Sequence, residues 1–149
     1  MPSESNPECR ISSECLAGRV RAMNRVVTGI YDDALRPHKV RVSQMNVLVA
    51  IAAMGQVRPA EVCRGLHLEK STLSRDLARL LARGWVSATP AEGRMQTLKV
   101  TAAGRAMIKK VMPAWEEAQN RVREVLGEQL TRAILEAVGR LQSANADEA

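Results

Sequence analysis

KSTLSRDLARLLARGWV, residues 70–86, and EGRMQTLKVTAAG, residues 92–104, decide how this chain reads. In the first stretch Leu73, Leu77, Leu80 and Leu81 fall at i, i+4, i+7 and i+8. That spacing predicts one apolar stripe on a helix running from about Glu69 to Arg83 and stopped by Gly84. The opposite side carries Lys70, Ser71, Thr72, Ser74, Arg75 and Arg79, with the two arginines one turn apart and pointing the same way. In the second stretch the period falls to two, so that Leu98 and Val100 face one way and Thr97 and Lys99 the other. Trp85–Thr89 and Met95–Thr101 flank the turn-rich Pro90-Ala91-Glu92-Gly93-Arg94 and predict a two-stranded hairpin.

Upstream, a short helix is expected near Pro59–Arg64, with proline just inside its start and Gly65-Leu66-His67-Leu68 as the following turn. Two short helices joined by such a turn, the second one basic, describe a helix-turn-helix. A helix capped by Ser43 and stopped by Gly55 precedes it, with Met45, Leu48, Val49, Ile51 and Ala52 as its buried positions. Before that, Leu16, Val20, Met23, Val27, Ile30 and Tyr31 mark the stripe of one long helix over about 12–35, ended by Arg36-Pro37. Downstream, Thr101 is expected to cap a long helix to about Leu126, kinked at Pro113, and a last helix holds Leu130, Ile134, Val138 and Leu141 in register.

The fold class is therefore mainly α with a small β-hairpin wing. A winged helix-turn-helix core (about 43–101) is joined to long N- and C-terminal dimerisation helices (about 12–35 and 102–142). Residues 12–142 form a single domain, with residues 1–11 as a flexible tail and 143–149 as a polar tail. The terminal helices carry more apolar stripe than a small winged-helix core can cover, so a two-fold homodimer is expected.

Charge points to the partner. Residues 56–110 hold eleven Lys/Arg against four Asp/Glu, so the whole excess of +6 lies in this segment. A concentrated basic region is the electrostatic footprint of a phosphate-binding surface, here of double-stranded DNA. In the major groove small hydroxyls at the start of a recognition helix permit close approach, and arginine donates two hydrogen bonds to guanine. Arg94 at the hairpin tip suits a minor groove narrowed by A·T sequence.

On these residues the chain resembles the MarR (multiple antibiotic resistance regulator) family of winged-helix proteins. Residues 92–104 are similar to its wing pattern, Asp-x-Arg, a short strand, Leu-Thr, then x-x-Gly, and residues 70–86 resemble its recognition helix. Glu92 stands in place of the family's aspartate and Val100 in place of its leucine. The resemblance covers about residues 12–142. It implies a dimeric, sequence-specific regulator of transcription, most simply a repressor of a palindromic operator released by a small ligand or an oxidant. Lys70, Ser71, Thr72, Ser74, Arg75 and Arg79 would then meet the major groove and Arg94 the minor groove. The resemblance also directs attention to Cys15 as a redox candidate, with Arg19 one turn away as the nearest cation.

Other classes are disfavoured. No apolar run approaches the roughly 18 residues of a membrane span, and the first residues lack the layout of a secretory signal, so a cytoplasmic location is expected. The odd set Cys9, Cys15 and Cys63 has no metal spacing, and His38 and His67 have no companions that complete a ligand set. Asp32-Asp33 and Glu116-Glu117 are adjacent on expected helices and point about 100° apart. Neither catalysis nor a cofactor is expected. No effector site is legible: the chain has no Phe, one Tyr and two Trp. The rival reading is a winged helix used for protein–protein contact without DNA.

Overall fold

A computed structural model of the chain describes residues 6–90 and 96–147. The order is α1 (Pro7–Glu14), α2 (Leu16–Leu35), a 3-10 turn (Arg36–His38), α3 (Val42–Met54), α4 (Pro59–Leu66), α5 (Lys70–Ala82), β1 (Val86–Pro90), β2 (Gln96–Val100), α6 (Ala102–Leu126) and α7 (Glu128–Asp147). The winged helix-turn-helix with flanking helices expected from the periodicity is what the chain forms.

The core sits where α3, α4, α5 and the hairpin converge. Leu48, Ile51, Leu80, Leu98, Val47 and Val62 are fully buried there, joined by Leu35 from the end of α2. Along α5 the stripe buries Leu73, Leu77 and Leu80, while Leu81 stays exposed. On α3 Met45, Leu48 and Ile51 are buried, but Val49 is exposed. On α5 the stripe is narrower than the sequence suggests, because a helix meets its neighbours over only part of its circumference, whereas α3 also buries Val42, Gln44 and Val47.

β1 and β2 pair antiparallel with Val86 opposite Val100, Ala88 opposite Leu98 and Pro90 opposite Gln96. Leu98 and Val100 face the core, as their alternation predicts. Val57, between α3 and α4, adds a one-residue third strand: its N–H donates to the Leu98 carbonyl at 3.1 Å and its carbonyl accepts from the Leu98 N–H at 2.7 Å. The wing base is thus stitched to the helices from both sides. A bridge of one residue has no period, and the sequence does not announce it.

The joint between α5, β1 and α6 is tightly closed. The Thr101 hydroxyl donates to the Gly84 carbonyl at 2.6 Å and accepts from the Gly104 N–H at 3.1 Å, capping α6 while holding the end of the α5 turn. The Thr101 N–H donates to the Trp85 carbonyl at 3.0 Å. Gly104 lies directly beneath that carbonyl: a Cβ there would sit 2.2 Å from the oxygen and 2.8 Å from Val100 Cγ1. Thr101→Ala removes both hydroxyl bonds and is expected to cost about 1–2 kcal/mol. Thermal unfolding should show the midpoint falling by roughly 3–6 °C.

The helix ends depart from expectation in four places. Where the sequence reads as a tail to residue 11, Asn6 caps a helix that begins at Pro7, accepting the Glu8 N–H at 3.1 Å. The long first helix breaks at Cys15, whose extended backbone (φ −65°, ψ 107°) separates α1 from α2. α3 begins one residue before Ser43, with Arg41 at the cap position and its N–H donating to Gln44 Oε1 at 3.2 Å. α7 continues to Asp147, through much of the stretch expected as a polar tail, since nothing there breaks a helix. α6 runs as one helix through Pro113.

α2 lies along α6. Tyr31 is half-buried between them and its hydroxyl donates to Gln119 Oε1. Burial raises the Tyr31 pKa above 10, outweighing the nearby Arg123. Apolar side chains are bare at the start of α2 and along α7: Leu16 is 78% exposed, Val20 57%, Leu135 63% and Leu141 60%. Among the described residues no helix is long and apolar enough to cross a membrane.

Candidate nucleic-acid interface

α5 is held by its leucines and presents the rest. Leu73, Leu77 and Leu80 are anchored in the core, which turns Lys70, Ser71, Thr72, Ser74 and Arg75 outward, all exposed. Five polar or cationic side chains thus crowd the first two turns. The cap residue Glu69 makes no side-chain capping bond, so α5 begins without an internal anion on its first N–H groups. The positive end of the helix and the Lys70 ammonium therefore share one surface.

A tie that sequence reasoning missed steadies this helix. Asp76, half-buried on α5, accepts a hydrogen bond from the Ser43 hydroxyl of α3 at 3.4 Å. It spans 33 residues of sequence, which explains why no local pattern reveals it. Arg75 rests against its own helix, its Nε donating to the Ser71 carbonyl at 3.4 Å. That long bond is easily exchanged for a base or phosphate. Arg79 is exposed too, but it lines a cleft shared with Arg36, Lys39 and Arg41 from the α2–α3 corner, and so stands apart from the α5 start. Arg83 places its guanidinium over the Trp85 ring, 4.7 Å from the centroid.

The solvent face of the hairpin is polar. Thr89 and Thr97 share a hydrogen bond at 2.9 Å, and Gln56 Nε2 donates to Thr97 Oγ1 at 3.1 Å, so the wing base is cross-braced by hydroxyls. Arg94, expected in the minor groove, lies outside the described residues, as does Glu92.

Cys15 is exposed at the break between α1 and α2, but the cation offered for it is engaged elsewhere. The Arg19 guanidinium donates to the Ser13 carbonyl at 3.0 Å, closing the C-terminal end of α1. Cys63 is half-buried and packs against the core. Among the described residues no group of three His, Cys, Asp or Glu side chains is placed to hold a metal ion.

Comparison with known proteins agrees with this geometry. A family model described as MarR family matches residues 38–95. The multiple antibiotic resistance protein MarR of Salmonella typhimurium is 27% identical over 112 residues, covering 74% of this chain and 73% of its own length. A mutant MarR from E. coli solved in complex with operator DNA has the same fold, with a TM-score of 0.76 at 19% identity, covering 89% of this chain and 96% of that one. The M. tuberculosis transcriptional regulator MOSR, solved in complex with DNA, superposes with a TM-score of 0.73 at 27% identity, covering 88% of this chain and 98% of that one.

Proposed function

We propose, from the premise that this chain belongs to the MarR family of winged helix-turn-helix transcriptional regulators, that it acts in the cytoplasm as a homodimer on a palindromic DNA operator. The observation that carries this is the first half of α5: Lys70, Ser71, Thr72, Ser74 and Arg75 all exposed on a helix whose other side is locked into the core. In the major groove Arg75 reads guanine, the hydroxyls allow close approach, and Lys70 with the helix N-terminus holds phosphate. Arg79 adds a phosphate contact further along the same helix, and Arg94 enters the minor groove from the wing tip.

The dimer follows from the bare terminal helices. Faces as apolar and exposed as those of Leu16, Val20, Leu135 and Leu141 are stabilised by burial against a second copy, at about 25 cal/mol for each Å² removed from water. Two-fold pairing sets two α5 helices about 34–36 Å apart, one turn of duplex, and this spacing requires an inverted repeat. Occupancy of such a site represses, and a small ligand or an oxidant releases it.

Selection of bound sequences from a random duplex pool tests the reading, and an inverted repeat is the expected yield. A dimer that neutralises six or more phosphates should then lose about a thousandfold or more in affinity between 50 and 200 mM salt. A monomer that enriches no sequence and binds no duplex at low salt would overturn the proposal in favour of a protein–protein module.

A further inference from the structure

We propose that the cleft between the α2–α3 corner and the C-terminal end of α5 is a binding site for a small oligoanion of the phosphoryl class. The cleft is open to solvent and offers about 630 Å³, within the range of small-molecule sites. Arg36, Lys39 and Arg41 line it from one side and Arg79 and Arg83 from the other, with Asp32 the single carboxylate on its wall. Asp32 offsets one of these charges and leaves the rest uncompensated, while its Oδ1 takes the Val42 N–H at 2.8 Å, at the start of α3. Arg36 pairs with Asp33, and among the described residues no ion pair is recorded for Lys39, Arg41, Arg79 or Arg83. Like charges gathered in a concavity raise one another's energy, and the low-dielectric walls focus their field on whatever enters.

Two further observations narrow the ligand. The apolar lining consists of Val40 and Ala82, with no aromatic side chain, so the site rewards charge and hydrogen bonding rather than a ring. Guanidinium groups approaching from both sides match the several oxygens of linked phosphoryl groups better than a single carboxylate. Lys39 holds a left-handed backbone, φ 56° and ψ 37°, which glycine or asparagine adopts at less cost. A lysine kept there brings an ammonium to the wall of the cleft.

This site bears on regulation through Arg79, and that consequence rests on the regulator reading above. An oligoanion that engages the Arg79 guanidinium in the cleft withholds it from a DNA phosphate. Signal and operator then compete for one side chain.

The test uses the full chain with sodium tripolyphosphate, followed by calorimetric titration at constant ionic strength so that screening does not mimic binding. Saturable binding of one tripolyphosphate per chain, weakened roughly tenfold or more in Lys39→Asn, is expected. Asparagine tolerates the backbone conformation, so this variant should fold with an unchanged or higher thermal midpoint. Absence of saturable binding, or equal binding by Lys39→Asn, overturns the proposal. Once binding is established, the salt dependence of duplex affinity assigns its source. A slope unchanged in Lys39→Asn identifies a free phosphoryl compound, and a slope smaller by about one identifies the DNA backbone. The titration contains no DNA, so its failure is distinct from failure of operator binding.

Discussion

Gly104→Ala is expected to be the most destabilising glycine-to-alanine change among the described residues. The added Cβ would stand 2.2 Å from the Trp85 carbonyl oxygen, and the obstacle is backbone rather than the yielding end of a side chain. Relief requires α6 to move away from the α5–β1 joint. That movement breaks the Thr101 N–H bond to Trp85 and the hydroxyl bond to Gly84. Overpacking of this kind costs about 3 kcal/mol, roughly 6–12 °C in thermal midpoint for a chain of this size. Alanine is otherwise the better helix former, so propensity alone predicts stabilisation by about 1 kcal/mol. The sign of the change therefore separates the two effects. A melting curve for Gly104→Ala at or above that of the parent protein would show that α6 does not seat against Trp85 as described.

Arg75→Ala is expected to reduce operator affinity by about 5- to 150-fold, the equivalent of 1–3 kcal/mol, with little change in stability. Stability is spared because Arg75 is exposed and its recorded hydrogen bond is the long one to the Ser71 carbonyl. Two readouts distinguish base reading from phosphate contact. If Arg75 reads guanine, discrimination at one base pair of each half-site is lost and the salt slope changes little. If it holds phosphate, affinity falls evenly for all sequences and the slope shrinks by about one. Gel-shift titration on the selected operator and on variants at each position gives both, and undiminished affinity would remove Arg75 from the interface.

Legibility in the sequence followed the range over which each feature is encoded. α5 and the hairpin could be read because a leucine stripe and an alternating strand repeat within a dozen residues, and a change from one period to the other marks the wing. α1 was within reach: Asn6-Pro7-Glu8 is a helix start, with a capping side chain, proline in the first turn and an early acid. The segment reads as tail only because no apolar stripe follows Pro7. The cap of α3 fell at Arg41 because the side chain of Gln44 supplies the acceptor.

The features that no local pattern encodes were the ones missed. Val57 joins the wing through two backbone bonds that any residue could make. Asp76 meets Ser43 across two helices. The cleft draws its cations from residues 36–41 and 79–83, which approach only after α2, α3 and α5 have packed. In the sequence each of these cations is one member of an ordinary solvated charge pattern. Arg75 and Arg79 share a spacing that predicts a common direction, but only the packing of α5 against the α2–α3 corner gives Arg79 the company of Arg36, Lys39 and Arg41.

The closure of Thr101 and Gly104 onto residues 84 and 85 fixes the start of α6 to the end of α5 and makes the helix a lever arm. Its 25 residues span about 37 Å at 1.5 Å each, and the load at one end is the helix that would enter the groove. A tilt of about 5° at the far end swings the near end by about 3 Å, whereas hydrogen bonds to bases fail within a few tenths of an ångström beyond their usual length. On the proposed function, small rotations deep in the helical bundle would thereby be amplified into loss of register on DNA.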